Sequence, residues 1–126
     1  LLQLLFFTTP EAACVGPTEE QLKEQAIPYV CKKAFWRANG KALAMNEGEG
    51  LLKLFAAAPA DANAEAPAEG EGGGRILGCH AYGAHSADIV QEVSALMCRD
   101  TTVAQLRDIV HIHPTLGEIL LAAAEA

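Results

Sequence analysis

Residues 111–120 read HIHPTLGEIL, with Glu118 five residues beyond His113 and a proline between them. Imidazole is the side chain whose ordinary pKa lets it take and return a proton near neutral pH. A carboxylate at one ring nitrogen orients the ring and stabilises its charged form, which makes a polarised general base. Glu118 also has a structural use. TLGE at 115–118 fits a capping box, in which the glutamate reaches back to the Thr115 amide. A carboxylate has two oxygens, so the spacing permits both roles, and spacing alone favours the cap. A base needs a reactive partner, and nothing adjacent in the sequence supplies one.

The remaining reactive side chains are scattered. Cys14, Cys31, Cys79 and Cys98 form no C-x-x-C or C-x-x-x-x-C pair. With no secretory signal, they read as reduced thiols of a cytoplasmic protein. His80 follows Cys79, and with His111 and His113 could complete a zinc set, since Cys and His are its usual ligands. No close ligand pair supports that, so no metal is expected. His111 reads as structural, and so does His85, at the start of a helix. GEGGG at 70–74 follows no strand and opens no helix, so it is not a phosphate cradle.

The chain behind these residues is 126 residues long, the size of one domain. Its hydrophobic content of 51% is enough for a core. Sixteen acidic residues against nine basic ones give a net charge of −7, which argues against a nucleic-acid partner. No apolar run approaches the ~20 residues of a membrane span. LLQLLFF opens the chain without the charged start and longer apolar core of a signal peptide. It reads as a cut inside a larger protein, near or within a buried strand. The plainer alternative is an apolar strand opening a small domain.

The pattern of elements is strands first, then helices. Phe6 to Thr9 is β-like and ends at Pro10. TEEQ at 18–21 is a capping box opening a helix over 18–25. YVCKKAFW at 29–36 is rich in strand formers, with Lys32 and Lys33 as solvated positions and Trp36 in a core or interface. Asn39-Gly40 is a turn signal, and Lys41 to Met45 reads as the next strand. LLKLFAA at 51–57 is another. Residues 58–74 are alanine, proline, glycine, acid and one asparagine, with no large apolar residue. Such a segment cannot bury enough surface to offset its ordering entropy, and reads as a solvated low-complexity excursion between two strands. Its purpose reads as inert, with a spacer or docking surface as the alternative.

RILGCHAYG at 75–83 resumes as a strand. Ile89, Val93, Leu96 and Met97 then recur at helical spacing over 85–98. Thr102 with Gln105, and Thr115 with Glu118, are further capping boxes, the last opening a helix to about 124. The expectation is an α+β fold: an antiparallel meander of four to five strands covered on one side by helices.

Four stretches, in order, carry a resemblance. They are FTTPEAACVGPTEEQLKE (7–24), FWRANGKALAMNEGEGLLKL (35–54), RILGCHAYGAHSADIVQEV (75–93) and HIHPTLGEIL (111–120). Together they resemble the C-terminal dimerisation domain of the pyridine nucleotide–disulfide oxidoreductases, and within that family the dihydrolipoamide dehydrogenase branch. The resemblance covers nearly the whole chain, 1–126. It implies a homodimer in which His113 acts across the interface on a cysteine pair beside the flavin of the other subunit, with Glu118 as its carboxylate partner. It implies a cis bond before Pro114, and that His113 and Pro114 border the partner's flavin. FAD and NAD would serve the intact enzyme, and the family's FAD and NAD domains are absent from this segment. Alone, the segment is expected to be inactive and to bind no cofactor. The loop at 58–74 replaces what is usually a short hairpin.

Two other readings remain open. One is a stand-alone dimeric interaction module without activity. The other is the same domain of a related disulfide reductase, such as one acting on glutathione or mercury. A 2-oxoacid dehydrogenase complex is a partner the resemblance permits, with no nucleic acid and no membrane.

Overall fold

A computed structural model describes residues 3–6, 10–58 and 74–126. The strands are β1 (Gln3–Phe6), β2 (Ala12–Val15), β3 (Tyr29–Phe35), β4 (Gly50–Ala57) and β5 (Ile76–Gly83). They form one antiparallel sheet in the order β1-β2-β5-β4-β3. The helices are α1 (Glu19–Glu24), α2 (Gly40–Ala44), α3 (Ser86–Met97), α4 (Val103–Asp108) and α5 (Ile119–Glu125).

Side chains alternate across a strand, so the register decides which residues share a face. Ala13, Ala81, Leu52 and Ala34 lie in one row across β2, β5, β4 and β3. Cys79 and Leu54 are paired in the next row. These residues are buried and join Ile89, Val90 and Val93 of α3, Val103 and Leu106 of α4, and Ile119, Leu120, Ala123 and Ala124 of α5 in one core. Burial of each large aliphatic side chain contributes roughly 1.5–3 kcal/mol. The opposite face carries Cys14, His80, Lys53 and Lys33 in one row. There Phe55 is buried, edge-on to Tyr29 and to His80, and α1 approaches through Glu19, 4.0 Å from Lys53.

The α+β sheet packed by helices is as the sequence implies, and two capping boxes form as read. Thr18 accepts from the Gln21 amide at 3.1 Å while Gln21 accepts from the Thr18 amide at 2.9 Å. Thr102 and Gln105 repeat this at 3.2 and 3.0 Å.

Three expectations need correction. Residues 41–45 are not a strand; Gly40–Ala44 is α2. Asn39 does not open a hairpin but caps this helix, its Oδ1 accepting from the Ala42 amide at 2.9 Å, and the alanines, leucine and lysine that follow favour helix. The sheet is a meander only through β3, β4 and β5, because β2 returns to pair with β5. Residues Ala12–Val15 form β2, a strand too short to carry a local pattern of its own. Of the strand expected over Phe6 to Thr9, Phe6 lies in β1 (Gln3–Phe6), and 7–9 lie outside the described residues.

Lys33 is exposed as expected, but Lys32 is half-buried and lies on the helix-covered side. Its ammonium donates to the Ala126 carbonyl at 2.7 Å, a cation placed at the C-terminal end of α5. Trp36 is fully buried, its Nε1 donating to the Ala84 carbonyl at 3.1 Å.

The excursion sits where the sequence places it. Ala57 and Arg75, and Gly74 and Ala57, exchange backbone hydrogen bonds at 2.9 and 2.8 Å, so residues 58–74 join two adjacent antiparallel strands. Its solvated character falls on 59–73, outside the described residues.

Candidate active site

The segment from Ile109 to Thr115 links α4 to a 3-10 turn (Leu116–Glu118) that runs into α5. A cis peptide bond joins His113 to Pro114. The His113 Nδ1 lies 3.0 Å from each carboxylate oxygen of Glu118. Glu118 Oε2 also accepts from the Thr115 amide at 3.1 Å. Both contacts that the spacing permits are therefore made at once: the carboxylate reaches back to the helix start and holds the imidazole.

These two bonds act on charge as well as position. The Thr115 amide and then His113 stabilise the ionised carboxylate and hold Glu118 below its ordinary pKa, against the opposing effect of partial burial. An ionised carboxylate can only accept, so Nδ1 carries the proton. Nε2 is then the ring nitrogen free to exchange a proton. The His113 side chain is 77% exposed and that of Glu118 only 23%. The imidazole thus stands outward on a shielded carboxylate. A groove of about 260 Å³ runs from this pair along Phe35, Asn39 and Leu121.

Several groups hold the loop. The Thr115 hydroxyl donates to the Ile112 carbonyl at 2.7 Å. The Thr115 carbonyl accepts from Asn39 Nδ2 at 3.1 Å. Sequence reasoning gave Asn39 only to a turn, because a link of 76 residues leaves no local signal. On the far side, Pro114 borders a cleft of about 540 Å³ with Met45, Ile89 and Glu92.

The other histidines make structural contacts. His111 Nε2 lies 2.9 Å from the Leu106 carbonyl near the end of α4. His80 Nε2 lies 3.2 Å from the Pro17 carbonyl. His85 precedes α3 in a left-handed conformation, φ 60°, 3.6 Å from Asp88. The zinc set of Cys79, His80, His111 and His113 is not assembled, and among the described residues no group of three or more His, Cys, Asp or Glu is placed to hold a metal ion. Burial pushes the Cys79 thiol far up in pKa, and burial raises Cys31 too.

The doubly wound dinucleotide fold is built on a mostly parallel sheet with a strand-order switch and a glycine turn leading into a helix. The sheet of the described residues is antiparallel and is a different architecture. No helix of the described residues is long and apolar enough to cross a membrane.

Comparison with known proteins accounts for the fold. The profile of the pyridine nucleotide-disulphide oxidoreductase dimerisation domain matches residues 2–62 and 68–124, and the chain belongs to that family. It is 35% identical over 119 residues to dihydrolipoyl dehydrogenase of Bacillus subtilis, covering 94% of this chain and 23% of that protein. It is 40% identical over 118 residues to the chloroplastic dihydrolipoyl dehydrogenase 2 of Arabidopsis thaliana, covering 90% and 18%. The Escherichia coli flavoprotein disulfide reductase RclA, induced by HOCl, superposes with a TM-score of 0.80 at 25% identity, over 98% of this chain and 25% of that one. The chain therefore spans about a quarter or less of the length of these relatives, and within its family it is similar to dihydrolipoyl dehydrogenases.

Proposed function

We propose that this chain forms the homodimer interface of a dihydrolipoyl dehydrogenase-like flavoenzyme and supplies its acid/base. His113 takes the proton of a dithiol at the partner subunit's site and so generates the thiolate, the attacking form of sulfur. Glu118 keeps the ring in one tautomer and stabilises the imidazolium that forms. The proton held at Nε2 is returned when the thiol is re-formed. FAD and NAD, held by segments other than those described, supply the electron transfer, and His113 with Pro114 would border the flavin of the partner. A reducing, cytoplasmic setting fits four unpaired cysteines, and a 2-oxoacid dehydrogenase complex fits the substrate class.

The observation that carries this reading is the contact of both Glu118 oxygens with His113 Nδ1, on a side chain that stands out from the surface. A capping glutamate has no need of it. The test is His113→Gln in the full-length protein. Oxidation of dihydrolipoamide should fall by about 10²–10⁴-fold, the usual contribution of a general acid/base, with the dimer intact. Unchanged turnover would overturn the assignment. Rapid reduction of glutathione disulfide in place of lipoamide turnover would move the protein to the related reductases.

A further inference from the structure

We infer that Asn39 is the positioning residue of the pair: its buried amide locks the loop carrying His113 and Glu118 to the end of the sheet. The inference rests on the reading of His113–Glu118 as the acid/base and names what holds it in register.

Asn39 is only 8% exposed, and each half of its amide is used. Oδ1 accepts from the Ala42 amide at 2.9 Å and caps α2. Nδ2 donates to the Thr115 carbonyl at 3.1 Å. Its own backbone amide donates to the Trp36 carbonyl at 2.9 Å. Trp36 is fully buried at the end of β3, so Asn39 is tied to a rigid part of the core.

The other end of the link is equally constrained. Thr115 uses its carbonyl on Asn39, its amide on Glu118 and its hydroxyl on Ile112. These bonds bracket the loop on both sides of His113. Of the three, only the bond to Asn39 leaves the local segment, and it spans 76 residues. Without it, the loop keeps its internal bonds but loses this tie to the sheet end. The same amide lines the groove that ends at the pair.

The residue type follows from the geometry. A cap at this position needs an acceptor, which asparagine, aspartate and serine provide about equally. The bond to Thr115 needs a donor on the same short side chain. Asparagine alone among the good caps offers both with the reach to span them. Aspartate would set a carboxylate against the Thr115 carbonyl, and serine would fall short of it.

The test is made on the full-length protein, with Asn39→Ser, Asn39→Asp and Glu118→Gln, each selectively labelled with ¹⁵N histidine. The ¹⁵N shifts report which nitrogen of His113 carries the proton. In the parent chain the Nδ1–H form should dominate. Both Asn39 variants keep a good cap for α2, so a folded variant is expected from at least one. Each should lower the Nδ1–H to Nε2–H ratio of His113 several-fold while leaving His80 unchanged. A ratio unchanged in a folded Asn39 variant, but lowered in Glu118→Gln, would overturn the role of Asn39 and leave the pair standing. A ratio unmoved even by Glu118→Gln would sink the pair itself, and with it the acid/base reading.

Discussion

Both carboxylate oxygens of Glu118 lie 3.0 Å from Nδ1 of His113, and one of them also accepts the Thr115 amide at 3.1 Å. One side chain thus starts a helix and orients an imidazole. Because the helix start fixes the carboxylate, the ring is held by a group that is itself held.

Replacing Glu118 by glutamine keeps the size and one acceptor but removes the charge. The amide would no longer stabilise an imidazolium, and it would permit the wrong tautomer. In the full-length protein, kcat/KM with dihydrolipoamide should fall about 10–100-fold, less than for loss of His113, because an orienting group contributes part of the general acid/base effect. Steady-state kinetics of the two variants side by side checks the ranking.

The same carboxylate gives a pH signature. Its folded pKa is depressed below the ordinary 4.5, chiefly by the Thr115 amide. Its stabilising contribution is therefore fully present above the unfolded-state pKa and is lost as pH falls through the folded one. Melting temperature measured from pH 7 down to 3 should drop less steeply in Glu118→Gln than in the parent. Parallel curves would mean that the carboxylate gains nothing from folding.

Gly83 has a φ of 151°, and a Cβ built there would sit 2.5 Å from the Trp36 ring. Gly83→Ala combines backbone strain with overpacking of a fully buried indole. A loss of about 2–4 kcal/mol is expected by urea unfolding. Gly40→Ala serves as the control, since a Cβ at Gly40 meets nothing within 4 Å.

The four thiols should separate by accessibility. Cys98 is exposed, Cys14 and Cys31 are half-buried, and Cys79 is buried with its thiol pushed up in pKa. The thiolate is the form that is alkylated. Iodoacetamide at pH 8 followed by mass spectrometry should label Cys98 first and Cys79 only on unfolding. Early labelling of Cys79 would contradict the buried face of β5.

The sequence by itself determined the local pieces. The Thr18 and Thr102 boxes, the helical period of 85–98 and the strands at 29–35 and 76–83 are set by contacts within a few residues, and short-range chemistry is legible in order. His113 and Glu118 were legible for the same reason, being five residues apart. Asn39 was not. Its neighbour Gly40 suggested a hairpin, and the choice between turn and helix cap was made by an amide and a carbonyl that meet only in the folded chain. Strand order was hidden likewise: β2 pairs with β5 more than sixty residues on, and no local pattern records such a partner. Only the tertiary structure decided that the carboxylate serves cap and imidazole together, because spacing permits both bonds and geometry alone makes them.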